Sequence, residues 1–397
     1  MKYLSWDEEW MMRLPTATTS TLGFVGTCTV AGLNLASMFA ARLVVPLLAL
    51  SMGASALFVG ATAAMFTAVP MLFSLGFGRW LDRVGTLWPM AFAASLAVVA
   101  ALVFMLIPRA FALLVVAGLV GAGGVFAHMA ATQAIGAVED VTQRARDLGY
   151  LVLGYSLFQF SGPLIVGATY QYWGSTAAML TLGVFSLISL AVLALGGHLF
   201  QHKRRQGTAS KASRPARMLL AQADLRGWIL ISSVFVAAQS IYPFVLSLHI
   251  SQVGLGALEA GWILGAFAVG TFVSRLCTPL LTRRFEIKST LKGAVVAGAL
   301  VYGVMPWVRD PLLLAALSWL LALPLGVGVP VALAMIYDAA PSGQVNESVG
   351  LSMSLNNLVQ TILPLLFGVF ASHYGVTPMV LVFALAMLLC GLLGGRR

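Results

Sequence analysis

The sequence predicts an all-α membrane fold of twelve transmembrane helices, arranged as two six-helix bundles related by a parallel repeat. Three observations carry this prediction. Of 397 residues, 60% are hydrophobic and only 9% charged, with a mean hydropathy of +0.94, whereas a soluble domain carries about 25% charged residues. Apolar runs long enough to cross roughly 30 Å of hydrocarbon as helices recur along the whole chain. The chain also resembles itself at an offset of 201 residues.

Taken in order, the runs fall near 20–50, 56–77, 86–107, 110–137, 148–172 and 175–198, then 227–250, 258–281, 289–307, 312–337, 348–373 and 376–394. Ahead of the first lies MKYLSWDEEWMMRLP, whose acidic residues stand where a cleaved signal peptide would be basic. Trp6, Trp10 and Leu14 share a helical face there, which suits either a short interfacial segment or a frayed tail. The longest polar stretch, from Gln201 to Gly227, is rich in Lys, Arg, Ser and Gly and reads as a basic linker over 201–226. It divides an N-terminal half, 1–200, from a C-terminal half, 227–397.

The repeat is read from identities between the halves. Gly53 and Gly60 fall on Gly254 and Gly261. In spans five and eleven, Gly149, Leu157, Gln159, Pro163, Leu164, Gly167 and Gly174 fall on Gly350, Leu358, Gln360, Pro364, Leu365, Gly368 and Gly375. Six helices repeated in one orientation around a linker is an architecture in which two bundles rock about a central site.

Orientation follows from the basic residues, which short loops retain on the cytoplasmic side. With both termini inside, that side takes Lys2, Arg13, Arg79, Arg83, Arg144, Arg146, the group from Lys203 to Arg226, Arg283, Arg284, Lys288, Lys292, Arg396 and Arg397, while the outer loops take only Arg109 and Arg309. The net charge of +10 then faces anionic lipid, so no nucleic acid is implied. Cys28, Cys277 and Cys390 sit singly in apolar spans without metal-type spacing, which supports neither a disulfide framework nor a zinc site.

Charge is concentrated in GFGRWLDRVG, Gly76 to Gly85, expected in the cytoplasmic turn between spans two and three. Gly78 and Gly85 permit a tight turn and close helix approach, and Asp82 can pair with an arginine or with helix-end amides. With its twelve spans, central basic loop and internal repeat, GRWLDRVG resembles the G-x-x-x-D-R-x-G signature of the major facilitator superfamily. That resemblance implies an alternating-access secondary transporter in an inner membrane, with Gly78, Asp82, Arg83 and Gly85 as a conformational latch. In the second half PLLTRRFE places Arg283 opposite Asp82, so the motif is degenerate there. Gly154 to Gly167, GYSLFQFSGPLIVG, resembles the fifth-span motif of the exporting, antiporter branch, which leans the expectation toward efflux. Gly162 and Pro163 equally suit a kinked, closely packed helix.

Polar groups at membrane depth are costly unless they face a cavity or a partner. They are Asn34 and Arg42 in span one, His128 and Gln133 in span four, Tyr155 and Gln159 in span five, Gln239 and Tyr242 in span seven, Arg275 in span eight, and Asn356, Asn357 and Gln360 in span eleven. Spans three, six, nine and twelve offer no comparable group, matching the superfamily's lipid-facing helices. Asn34, Gln159, Gln239 and Gln360 fall near mid-span and are the first choice for a binding layer, with Arg42, His128, Tyr155, Tyr242, Arg275 and Asn356 completing the expected substrate site. An amide at this depth can equally bond a neighbouring helix.

Arg42 lies roughly 10 Å outward of the middle of span one, and Arg275 roughly 6 Å inward of the middle of span eight. All thirteen carboxylates are read as loop or span-end residues, Glu259 among them, so neither arginine has an evident counter-ion. Either an anion sits between them, or each bonds helix-end carbonyls or snorkels to its nearer interface. His128 is the titratable group well inside the bilayer whose reference pKa of about 6.5 suits proton exchange; packing is the other reading of a lone histidine.

The five histidines are scattered and no cysteine accompanies them, so no nucleophile–base or metal constellation of an enzyme is evident and no cofactor is implied. A channel has no need of two repeated bundles and a latch. The expectation is a multi-pass inner-membrane transporter leaning to antiport and efflux, with an organic-acid uptake carrier or a broad drug exporter as the alternative, acting as a monomer with both termini cytoplasmic. Its partners would be membrane lipid and a small, acid-bearing organic solute, coupled to a proton or an exchanged anion.

Overall fold

The computed structural model describes residues 21–136, 141–196, 219, 221–341 and 344–393. The expected interfacial segment with Trp6, Trp10 and Leu14, and most of the basic linker, lie outside them. The described residues form helices and no strand. The first four helices are α1 (Thr21–Ser51), α2 (Ala56–Val84), α3 (Leu87–Leu106) and α4 (Ala112–Gly136). The run Val141–Leu195 is broken at Gly174, whose φ of 79° and ψ of −174° end one helix and begin another; these are α5 (141–173) and α6 (175–195). Then come α7 (Ala223–Val253), α8 (Ala257–Arg284), α9 (Ile287–Val304) with a short 3-10 turn at Met305–Trp307, α10 (Pro311–Ala339), α11 (Val345–Tyr374) and α12 (Val376–Leu393).

Each helix matches one of the twelve expected spans, because hydrocarbon thickness dictates the length and internal hydrogen bonding dictates the helix. The differences lie at the ends. Helix α2 runs to Val84, so GRWLDRVG forms its last turns and only Gly85 turns the chain, at φ 85° with its N–H donating to the carbonyl of Leu81. Helix α5 begins at Val141, seven residues before the apolar run at 148, and α7 begins at Ala223. A helix satisfies its own backbone, so it can continue past the hydrocarbon while its side chains turn polar.

The repeat seen in the sequence is present in the backbone. Gly53 and Gly254 turn the chain after α1 and α7 at φ 79° and 75°, and Gly174 and Gly375 divide α5 from α6 and α11 from α12 at φ 79° and 87°. Both pairs are 201 residues apart. Left-handed φ is nearly free for glycine and strained for other residues.

Repeat mates also join the halves. Helix α2 crosses α11 where a Cβ on Gly60 would lie 2.4 Å from the carbonyl oxygen of Pro364, and one on Gly368 would lie 2.8 Å from that of Ala56. Helix α8 crosses α5 in the same way: Gly261 faces the carbonyl of Pro163 at 2.7 Å and Gly167 that of Ala257 at 2.6 Å. The four contacts form two pairs related by the 201-residue offset, and together they close the end of the molecule that carries the turns at Gly53 and Gly254, here termed the Gly53 end. A side chain crosses there as well: the Oε1 of Gln171 on α5 accepts from the N–H of Ala257 at 3.0 Å, capping α8 from the other half.

Gly149 and Gly350 lie eighteen residues before Gly167 and Gly368. That is five full turns, so they share the same helix faces. Nothing lies within 4 Å of a Cβ at either position, and both are exposed. The faces that meet the opposite half at the Gly53 end are therefore bare toward the other end, which carries Asp82.

A methyl group at either crossing must push backbone from backbone. Gly60→Ala and Gly261→Ala are each expected to cost about 1–3 kcal/mol by overpacking. The check is a lower unfolding midpoint in detergent, with faster alkylation of a cysteine introduced at Leu57, next to the seal; unchanged values for both variants would show that the crossings yield without cost.

Candidate functional site

Just beyond the Gly60–Pro364 crossing, α1, α2, α7 and α11 leave a cavity of about 20 Å³, room for about one water molecule. Its wall is formed by Arg42, Ala63, Phe66, Thr67, Ser240, Pro243, Phe244, Gln360 and Pro364. Thr67 and Thr361 share a hydrogen bond of 3.1 Å across the halves beside it. The guanidinium carbon of Arg42 lies 5.9 Å from the centre of the Phe66 ring, within reach of a cation–π attraction. Among the described residues Arg42 has no hydrogen bond or ion pair, and no carboxylate lines the cavity. Its repeat mate, 201 residues on, is Pro243, so this cradle between related halves carries its charge on one side only.

The residues expected to bind solute separate into two groups. Four of them join helices within one half. Asn34 is 1% exposed; its Nδ2 donates to Val30 O at 2.8 Å and Ser189 Oγ at 3.1 Å, and its Oδ1 accepts from Ser186 Oγ at 3.2 Å. It ties α1 to α6. Gln239 donates to the carbonyl of Leu325 at 2.7 Å, on a helix that carries Pro324 and Pro330 within it. Tyr242 is buried, stacked on Phe267, with its hydroxyl bonded to that of Ser318. Asn356 accepts from Ser233 Oγ at 2.8 Å and donates to Ser232 Oγ at 3.2 Å. Of the two roles open to Asn34 and Gln239, binding layer or helix-to-helix bonding, their amides take up the second in this conformation. Nor are spans six and nine without polar groups, since Ser186 and Ser189 serve Asn34, and Tyr302 on α9 bonds the carbonyl of Ala238.

The others stay unbonded. Gln360 lines the cavity, and its repeat mate Gln159 is half-buried on α5; among the described residues neither amide has a partner. His128 and Tyr155 face each other with ring centres 5.3 Å apart, and His128 Nδ1 and the Tyr155 hydroxyl are both buried without a partner. Arg275 is half-buried on α8 and is no part of the cavity. Counted from the Gly53 end, Arg42 is nine residues into α1 and Arg275 eighteen into α8, a difference in depth of roughly 14 Å. One small anion cannot touch both in this conformation.

Gln133, read as a polar group at membrane depth that needs a cavity or a partner, finds a partner: its Nε2 donates to Asp82 Oδ1 at 2.6 Å, binding α4 to the end of α2. One further reading is corrected. Gly78 lies inside α2 with only Met129 near a Cβ, at 3.9 Å, so Gly85 alone makes the turn. A carboxylate is also buried after all, Asp147 on α5, at 1% exposure. Sequence reasoning counted it as a loop residue because the apolar run starts just after it. It also passed over Phe66, Thr67, Ser240 and Phe244, which carry no signal apart from depth.

The sequence profile of the Major Facilitator Superfamily matches residues 27–323 and, a second time, 229–396. The chain belongs to the Major Facilitator Superfamily. It is accordingly a multi-pass membrane protein of a transporter superfamily, and its fold is found in solved members. A peptide transporter POT in complex with sulfate aligns with a TM-score of 0.78 at 15% identity, over 98% of this chain and 97% of that one. The nucleoside transporter NupG aligns at 0.77 and 12%, over 94% and 99%. A POT family transporter in complex with 5-aminolevulinic acid aligns at 0.76 and 11%, over 94% and 95%. At these identities the likeness is one of fold. No curated protein matches the sequence.

The two kinds of amide should respond differently to truncation. Asn34→Ala leaves the Ser186 hydroxyl without its acceptor in an apolar interface and is expected to lower stability by about 1–3 kcal/mol. Gln360→Ala should stay within about 0.5 kcal/mol of wild type. Thermal unfolding of the purified variants checks this, and equal losses would erase the distinction.

Proposed function

We propose that this superfamily member is an alternating-access secondary transporter that exports a small organic solute bearing an acidic group and an apolar, ring-like body. The observation that carries the reading is Arg42, a guanidinium facing a cavity between the halves with no counter-ion among the described residues. A cation so placed favours an arriving anion, while Phe66 and Phe244 offer apolar walls and Thr67, Ser240 and Gln360 offer hydrogen bonds. Residues 1–200 and 227–397 act as the two rocking halves, joined by the basic segment 201–226.

The bias of Lys and Arg toward the Asp82 end supports placing that end in the cytoplasm of an inner-membrane protein with both termini inside. The bare faces at Gly149 and Gly350 then belong to an inward-open state, ready to load solute from the cytoplasm. The likeness of GYSLFQFSGPLIVG to the exporter motif supports the outward direction. Asp82, with Gln133 as its partner, serves as the latch that biases one conformation, aided by Arg83 and the turn at Gly85.

Benzoate, benzamide and benzylammonium probe the charge preference on one ring. Benzoate is expected to raise the unfolding temperature most, and Arg42→Gln to weaken that binding roughly ten- to a hundredfold, the loss of one charge-assisted contact. Arg42→Lys should recover part of it, since charge returns without the two-pronged geometry. Preference for benzylammonium, or full benzoate affinity in Arg42→Gln, would overturn the acid reading. Counterflow in vesicles of known orientation reads the direction.

The latch is tested separately. Asp82→Asn and Gln133→Ala should both slow transport while leaving ligand affinity in detergent intact, because neither residue lines the cavity. Unchanged transport in both would remove the latch.

A further inference from the structure

The halves bring one pair of matched side chains to the seam between them. Gln159 on α5 and Gln360 on α11 are repeat mates, 201 residues apart, and each stands fourteen residues from the Gly53 end of its helix. They lie at equal depth. Each also comes four residues before the proline of a crossing, Pro163 or Pro364, whose carbonyl meets a glycine of the other half. Residues four apart share a helix face, so both amides are turned to the gap between the halves, one turn past the seal. The gap stays open beyond them. Val152 and Met353, another pair of mates, lie three turns from the same prolines on the same faces, and both are exposed. A solute coming from the Asp82 end meets the amides before it meets Arg42.

Gln360 shares the cavity wall with Arg42. Counted from the Gly53 end, Arg42 is nine residues along its helix and the amides fourteen, a separation in depth of roughly 8 Å. That is the scale of one aromatic ring with a polar group at each end. Neither amide has a hydrogen bond among the described residues, although Asn34, Gln239 and Asn356 all do. Both are half-buried and so can be reached. An amide offers N–H donors and a carbonyl acceptor, and two of them suit a neutral group that also donates and accepts, a hydroxyl or a carboxamide. A methyl group there would displace water from the amides and return no bond.

We propose that Gln159 and Gln360 form a second recognition point, which holds a hydrogen-bonding group at the end of the solute remote from its acid. This rests on the acid reading of Arg42. The substrate class narrows to ring acids that carry a hydroxyl or carboxamide opposite the carboxylate. Since one amide comes from each half, the far group lies across the seam, and loss of either amide weakens its hold.

The test is isothermal titration of the purified full-length protein in detergent with 4-hydroxybenzoate, 4-methylbenzoate, 4-hydroxybenzamide and 4-methylbenzamide. In the benzoate pair the hydroxyl should bind roughly tenfold more tightly than the methyl. Gln159→Ala and Gln360→Ala should each cut that ratio to about threefold or less, and the double variant to about one, while 4-methylbenzoate binds them no more weakly than it binds wild type. Should an alanine variant not fold, Gln159→Met and Gln360→Met keep the volume without the amide and should act alike. In Arg42→Gln both benzoates should weaken together and keep their ratio. Equal affinity of hydroxyl and methyl probes for wild type, a ratio unchanged in either single variant, or binding of none of the four overturns the proposal. A hydroxyl preference confined to the benzamides and lost in the glutamine variants would support the amide pair while refuting the acid reading.

Discussion

The two helix crossings at Gly60–Pro364 and Gly261–Pro163 are the constraint on which the rest of the structure depends. Helices in lipid gain nothing from hiding apolar surface from one another, because the lipid tails are equally apolar, and close backbone packing takes over as the source of attraction. Glycine at each crossing lets main chain touch main chain. With α2 on α11 and α5 on α8 fixed at one end, five turns of the same faces are free to diverge toward the other. The central cavity begins where that divergence starts.

Polar side chains within this frame follow one accounting rule: each must find a partner in protein or face water or solute. Asn34, Gln239, Tyr242 and Asn356 find theirs on adjacent helices of the same half, so they tie each half together internally. Arg42, Gln159 and Gln360 find none among the described residues and lie near the seam between the bundles. Polar groups that bond within a half and polar groups that stay unbonded are thus separated by location.

Much of the fold was legible in the sequence because the bilayer and glycine are both strict. Hydrocarbon thickness sets span length, which is why all twelve runs became helices and only helix extensions beyond the apolar runs, such as 78–84 and 141–147, went unseen. Glycines that recur 201 residues apart marked turns and crossings that other residues fill poorly. The site was less legible. Depth tells that Asn34 and Gln360 each need a partner, yet whether it is a serine on the next helix or a solute depends on helix rotation, to which a lone amide gives no clue. The serines of α6 were overlooked because a hydroxyl barely alters hydropathy. Asp147 was overlooked because a charge beside a loop looks solvated, although α1 covers it.

The pairing of Arg42 with Pro243 has a consequence for the direction in which a solute can lie. Two related halves form a cradle that, left alone, would accept a solute in either of two orientations turned end for end. A single guanidinium breaks that equivalence. On the proposed reading, an acid held there would keep its head on the N-terminal half against the neutral wall of the C-terminal half, so a solute with two unlike ends would enter in one of the two orientations and not the other.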